Sequence, residues 1–224
     1  MHVLDFLLPP RCGGCRAVGA WLCGGCRAKI RHLEEPLCRR CGVEMETPRR
    51  ECGCRARLTS LTRLRSAVAY EGPVELAVQR FKYQGWRKLA RPLAQLVAER
   101  LAIEGVAARL LVAVPLHPDR KKQRGFNQAE LLASELRKRM QLEAPVGELI
   151  RTRPTPPQVG RDRLRRFENV RDAFAWRGPP LNAQSILLID DVATTGATLD
   201  ACARALREAG SGPVTGVSVA RVNV

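Results

Sequence analysis

The chain has 224 residues, 45% of them hydrophobic, and 38 basic against 22 acidic side chains give it a formal net charge of +16. That length and apolar content argue for a folded protein of one medium domain with a small companion, not a disordered chain. The charge points to a polyanionic partner, whether nucleic acid, phosphorylated metabolite or anionic membrane surface, against the plainer reading of a solvated basic face. It is not confined to a tail: it recurs in "RRCGVEMETPRRECGCRAR", "DRKKQRGF" and "RDRLRRFENVR".

The opening "MHVLDFLLPPRCGG" has no basic leader, and its apolar stretch is broken by Asp5 and ended by Pro9 and Pro10. No run approaches the roughly 18 residues of a membrane span, so the expectation is a cytoplasmic chain without a transmembrane segment. That bears on the cysteines. Eight of nine lie in the first 54 residues, paired as Cys12 with Cys15, Cys23 with Cys26, Cys38 with Cys41, and Cys52 with Cys54. In a reducing compartment such pairs are metal ligands more often than disulfides. Two residues between thiolates let one tight turn present both sulfurs to a tetrahedral ion. Pairing along the chain gives two structural zinc sites, Cys12, Cys15, Cys23 and Cys26, then Cys38, Cys41, Cys52 and Cys54, with a crossed arrangement left open. Four thiolates leave no open coordination position, so the zinc is a staple for a segment with little core of its own. Residues 1–66 carry thirteen Arg or Lys against six acids, which suits nucleic acid. Phe6 and Trp21 are the aromatics of this segment, a poor stacking platform for single strands. The boundary between the ribbon and the rest is expected near residue 60, giving domains 1–60 and 61–224.

From about Ser66 short apolar runs alternate with helical patterns. "SAVAY" and "LLVAVP" read as strands, and "KLARPLAQLVAERLAI" sets Leu89, Leu93, Leu96, Val97 and Leu101 on one helical face. "NQAELLASELRKRM" does the same with Leu132, Leu136 and Met140, while "NVRDAFAW", "SILLID" and "VTGVSVARV" are further strands. Strands alternating with helices imply a wound, mostly parallel α/β sheet. Between them, "RTRPTPPQVGRDRLRRFEN" has three prolines, one glycine and six arginines and reads as a long loop.

The most informative stretch is "LLIDDVATTGATLDACARALREAG". The strand is expected to end at Asp190 and Asp191, and a hydroxyl-rich turn leads into a helix with the stripe Leu199, Cys202 and Leu206. Ligands of open α/β sheets bind beyond the carboxyl ends of strands. Backbone amides, threonine hydroxyls and a helix N-terminus are the parts of a phosphate cradle, while the carboxylates suit ribose hydroxyls or a magnesium ion. The order of groups therefore describes a ribose 5-phosphate. Asp190 and Asp191 face the sugar, and Val192, Ala193, Thr194, Thr195, Gly196, Ala197 and Thr198 form the phosphate loop. No Lys follows the glycine and no GxGxxG is present, so neither a P-loop nor a dinucleotide fingerprint applies.

"LLIDDVATTGAT" resembles the motif by which type I phosphoribosyltransferases bind 5-phosphoribosyl 1-pyrophosphate (PRPP). The whole chain resembles one branch, the ComF/GntX family of competence-associated proteins, through its cysteine ribbons, "VPLHPDRKKQRGFNQAELLA" and "TPPQVGRDRLRRFENVRDAF". The resemblance implies a type I phosphoribosyltransferase-like sheet. It also implies a pyrophosphate loop holding Pro115, Leu116, His117, Arg120, Lys121 and Arg124, with Lys122 adding charge and Gly125 turning the chain before Asn127 starts a helix. A lone loop histidine is more often neither base nor metal ligand. The Arg-rich stretch becomes a flexible loop that closes over the substrate through Gln158, Arg161, Arg166 and Asn169. The implied reaction is magnesium-dependent displacement of pyrophosphate from PRPP by an acceptor the residues do not name. The alternative is a non-catalytic PRPP-sensing adaptor that handles single-stranded DNA during uptake, beside a helicase-like partner.

Overall fold

The computed structural model describes residues 9–47, 52–153, 170 and 172–222. Among the described residues the amino-terminal part holds two cysteine knuckles and a short α-helix, α1 (Gly24–Arg27). Then come β1 (Arg63–Ala69), α2 (Gly72–Tyr83), α3 (Ala90–Glu104), β2 (Leu110–Ala113), α4 (Pro118–Arg124) and α5 (Gln128–Met140). The chain closes with β3 (Glu148–Arg151), β4 (Phe174–Arg177), β5 (Ile186–Ala193), α6 (Ala197–Glu208) and β6 (Val214–Arg221).

Four strands form a parallel sheet in the order β1-β6-β5-β2. Successive strand residues point to opposite faces, and both faces are apolar, as a parallel sheet requires. Leu111, Leu187, Ile189, Val217 and Val219 pack with Phe81, Leu93, Val97, Leu132 and Leu136 of α2, α3 and α5. On the other side Leu110, Ile186, Leu188 and Val214 meet Leu199, Cys202 and Leu206 of α6. Neighbouring strands β2 and β5 thus send their following helices to opposite faces, which opens a crevice beyond their carboxyl ends.

Pro92 lies in the first turn of α3, where an amide would lack a helical acceptor in any case. Helix α2 follows the same rule with Pro73, and Val74, Ala77, Val78 and Phe81 form its buried stripe. Two expectations need correction. The stretch 169–176 was expected to join the parallel set, but β4 pairs antiparallel with β3 in a separate two-stranded sheet that covers α6. Strand β5 does not end at Asp190 but runs to Ala193, because β6 is eight residues long and supplies partners through Val192↔Ala220 and Ala193↔Arg221.

The outer edge of β1 is covered by the cysteine-rich segment. The Ala69 amide donates to the Arg31 carbonyl at 2.9 Å and the Leu64 amide to that of Arg40 at 2.6 Å. His32 bridges Val68 in antiparallel fashion. An exposed edge strand invites pairing with other chains, and here the ribbon takes its hydrogen bonds. Among the described residues no helix is long and apolar enough to cross a membrane.

Candidate functional site

The crevice is framed by the chain leaving β2 and the chain leaving β5. The Val114 amide donates to Ile189 at 2.9 Å, extending the β2–β5 pairing by one bond. The carbonyl of Val114 accepts from the Asn127 side-chain amide at 3.0 Å, while Asn127 Oδ1 caps α5 through the Ala129 amide at 2.9 Å. One buried side chain therefore closes the 115–126 excursion at both ends. The predicted pyrophosphate loop is mostly the short helix α4, capped by His117, whose Nδ1 accepts from the Asp119 amide at 3.3 Å. That role occupies His117 structurally. Pro115 and Leu116 connect β2 to it. Lys121 turns to Glu130 at 2.8 Å, and Arg124 lies 5.1 Å over the Tyr83 ring and donates to Gln128. Arg120 lies near enough to Arg151 of β3 for its charge to help lower the pKa of that guanidinium. Gly125 ends α4 with φ +73°.

Asp190 and Asp191 fall within a strand, so they point to opposite faces. Asp191 is buried and meets Lys82 of α2, Oδ1 to Nζ, at 2.8 Å. Burial works against the Lys82 charge, but the carboxylates of Asp191 and then Asp190 hold its pKa above the usual lysine value. Asp190 looks the other way, toward Arg151 and Cys202. Burial, then the neighbouring charge of Asp191, raises its pKa to about 7, opposed by Lys82, the Asp191 amide and Arg151. Burial and the nearby Arg120 lower the pKa of Arg151, and burial with Asp190 pushes the Cys202 thiol well up. The two adjacent acids are thus tolerated by a geometric split, one ion pair and partial neutralisation.

Beyond β5, Thr194 and Thr195 lead to Gly196, which takes φ +83° as the N-cap of α6. A Cβ there would stand 3.0 Å from Leu64 Cδ2 and 3.1 Å from Leu58 Cδ2. The Thr195 hydroxyl accepts from the Ala197 amide at 3.3 Å. The first-turn amides of α6 lack helical acceptors, and Thr198 stands half-buried on that turn. A cavity of about 230 Å³ lies beside it, lined by Thr194, Thr195, Arg57 and Arg221 with second-knuckle cysteines. Asp200, in the first turn of α6, accepts from the Ser60 and Leu61 amides at 3.0 and 2.9 Å. Arg221 donates to the Cys41 carbonyl at 2.7 Å. The start of α6 is therefore tied to the segment after the second knuckle, and the end of β6 to the knuckle itself. Gln158, Arg161, Arg166 and Asn169 lie outside the described residues.

The eight amino-terminal cysteines gather as the sequential pairing predicts, with the four sulfurs of each group within 4.8 Å of one another. The Cys15–Cys23, Cys38–Cys54 and Cys41–Cys52 sulfur distances are 3.7, 3.7 and 3.4 Å. Tetrahedral zinc with bonds of about 2.3 Å requires sulfurs roughly 3.8 Å apart, so both groups fit the ion. Backbone amides already point at the sulfurs. Cys12 Sγ accepts from Gly14 and Cys23, and Cys38 Sγ from Cys41 and Cys52, at 3.3 to 3.5 Å. Burial opposes these two thiolates, yet amide hydrogen bonds bring each pKa down to about 6. Burial and neighbouring sulfurs push Cys26 up to about 12, a cost that a divalent cation removes.

Residues 3–57 match the double zinc ribbon domain family. Competence protein F of Haemophilus influenzae is 30% identical over 197 residues, 84% of this chain and 85% of that protein. The chain belongs to the ComF family. Further relatives are the DNA utilization protein YhgH of Escherichia coli K12, 28% identical over 92% of this chain and 95% of its own, and competence protein ComFC of Streptococcus pneumoniae, 28% identical over 89% and 87%. Among solved structures, a hypoxanthine phosphoribosyltransferase of Staphylococcus aureus aligns with a TM-score of 0.35 at 13% identity, covering 59% of this chain and 62% of that one. UMP synthase of Leishmania donovani aligns at 0.35 and 16%, covering 60% and 23%.

Sequence reasoning did not single out Lys82, Arg57 or Arg221. Lys82 follows Phe81 at the end of α2, and the 74, 77, 78, 81 periodicity marks that helix. No local spacing ties it to an acid on β5. Arg57 and Arg221 come from opposite ends of the chain and meet only in the fold.

Proposed function

We propose that this ComF-family protein binds PRPP in the crevice beyond β2 and β5. In this reading residues 1–60 form a zinc-stapled ribbon that braces an α/β domain spanning 61–224. The ribose hydroxyls meet Asp190, which stands beside the Asp191–Lys82 pair, the 5-phosphate rests on the Val192–Thr198 turn, and the diphosphate lies toward α4. The observation that carries it is the conjunction, along the last half of β5 and the turn after it, of adjacent acids, a left-handed glycine and a helix N-terminus, with Arg120 and Arg151 close enough to act on one another and Arg151 on Asp190.

Because the acids face opposite ways and Asp191 is held by Lys82, they do not form a two-carboxylate cradle for magnesium. An ion carried in by diphosphate and hydroxyl oxygens, with Asp190 as the protein's contribution, fits the hard-oxygen preference of that metal. Bound there, magnesium would offset the charge that gathers on the diphosphate. Asp190, poised near neutrality, ionises as donors and cations arrive. In the transfer reaction the C1–oxygen bond to pyrophosphate breaks with its electron pair leaving on the diphosphate. An acceptor lone pair forms the new bond to C1, and the acceptor gives up a proton. Arg120 and Arg151 stabilise the departing charge, and the carboxylates favour the cationic sugar.

Calorimetry with PRPP and magnesium tests the site. Asp190→Ala with Asp191→Ala should weaken binding at least tenfold, and unchanged affinity overturns the assignment. The relatives named for competence and DNA utilization favour a second reading, in which PRPP is a signal and the chain an adaptor. Pyrophosphate release on adding candidate acceptors supports the transferase; tight PRPP binding without release under any of them supports the adaptor.

A further inference from the structure

We infer that Lys82 is a positioning residue of the crevice: its ion pair with Asp191 makes Asp190 the acid that meets the ligand and gives up a proton to solvent as the ligand binds. For the ligand this rests on the PRPP reading above; for the pair it rests on the fold alone. Asp190 and Asp191 are successive residues of β5, so their carboxylates leave opposite faces of the sheet. Asp191 is buried, and its Oδ1 lies 2.8 Å from Lys82 Nζ. Asp190 is half-buried, and its Oδ1 accepts from the Asp191 amide at 2.8 Å. Among the described residues Asp190 makes no ion pair of its own. Arg151 of β3 and Lys82 act on it from farther off, the Cys202 thiol of α6 lies near it, and Arg120 of α4 acts in turn on Arg151.

The fold holds Lys82 where this role needs it. It stands on the last turn of α2, where the helix dipole favours a cation. Its carbonyl accepts from Gln128 Nε2 of α5 at 3.4 Å, and the neighbouring Phe81 is buried in the core. Tyr70 at the end of β1, which bonds Gln79 and lies near Glu75, is the remaining titratable group beside the ammonium. Two carboxylates this close cannot both ionise cheaply, and in equal surroundings one proton would pass between them. A contact ion pair on one of them removes that symmetry. Asp191 stays charged and occupied, and the proton of the empty crevice goes to Asp190, the acid that keeps part of its surface open. Ribose hydroxyls and a divalent cation then displace the proton from one carboxyl only.

The experiment uses the full zinc-loaded chain with its aspartate carboxyls labelled with carbon-13. Without ligand, wild type should show a carboxyl titrating at about 7 that is absent from Asp190→Asn. In Lys82→Met this titration should move up by about 1–3 pH units, because an opposite charge in contact has gone, and Lys82→Arg should restore it. If Lys82→Met does not fold, Asp191→Asn carries the test in reverse. It removes the like charge and leaves Lys82 to Asp190, so the titration should move down by at least about one pH unit. An unmoved midpoint in the variant that folds overturns the role, because a lysine that only packs would cost stability and leave the midpoint in place. In calorimetry with PRPP and magnesium, the pH at which affinity rises should be higher in Lys82→Met than in wild type and unchanged in Lys82→Arg. The same pH for Lys82→Met and wild type also overturns the role. A carboxyl titration that moves as expected in a chain that binds no PRPP would refute the ligand and uphold the pair.

Discussion

The two cysteine knuckles have similar sulfur geometry and different jobs. Cys12 and Cys26 of the first lie in the core cluster of α2 and α3 with Leu22, Ile30, Ala77 and Leu89. Arg80 of α2 donates to the carbonyls of Gly13 and Gly14, the latter at 2.6 Å. This knuckle therefore sets the position of the helix that carries Lys82 and leads to Trp86. Cys38, Cys41 and Cys54 of the second lie in the opposite cluster with Leu58, Leu64, Ala197 and Leu199. Polar clamps through Asp200, Arg65 and Arg221 tie that knuckle and the segment after it to the sheet and the β5–α6 turn. One knuckle braces α2 and α3, and the other braces the turn between β5 and α6. Similar metal chemistry can thus act on separate sites, because what a staple supports depends on what packs against it.

The strongest way to break that comparison is to remove one staple at a time. Cys12→Ser and Cys38→Ser each lose a buried ligand, and structural zinc of this kind contributes on the order of 10 kcal/mol to folding its segment. Cys38→Ser should abolish PRPP binding, and Cys12→Ser should weaken it less. Equal losses for the two variants in calorimetry would mean that the knuckles act as one unit.

A smaller effect is expected from Asp200→Ala, which leaves the Ser60 and Leu61 amides without their acceptor. Unsatisfied buried donors of this sort cost about 1–3 kcal/mol each. Urea unfolding should show a loss of about 3 kcal/mol, with PRPP affinity falling. A loss under 1 kcal/mol would mean that the clamp between segment and turn is not structural.

A further effect is a pH slope belonging to Asp190 of β5. The Asp190 pKa is raised to about 7 in the folded chain from an ordinary 3.8. Between those values the folded state holds a proton the unfolded state has released. This stabilising contribution is therefore complete below about pH 4 and is lost as pH rises through about 7. Without ligand, wild type should lose stability over that interval relative to Asp190→Asn. PRPP and magnesium, which favour the ionised carboxylate, should bind more tightly as pH rises through about 7. Identical pH profiles for the two proteins would show that Asp190 titrates normally.

Much of this was legible in the sequence where the chemistry is local. A knuckle presents two sulfurs across one turn, so the spacing of Cys12 to Cys15 and Cys38 to Cys41 carries the ligand set, and the one-residue gap in "CGC" closes its cluster as well. The glycine at 196 and the threonines beside it are readable for the same reason. The strand end at Asp190 was misread because strand length is decided by the partner strand, here β6. The ribbon alone offered too few aromatics for stacking, and only folding brings Trp86 to Trp21.

By itself, then, the chain's order of residues determined the cysteine clusters, the alternation of strands and helices, and the glycine turn, all set by contacts within a few residues. Tertiary structure alone decided that Asp191 pairs with Lys82, that the ribbon covers the β1 edge, and that two tryptophans meet edge to face. Those contacts join distant parts of the chain, and burial of the sheet's two apolar faces is what brings them into register.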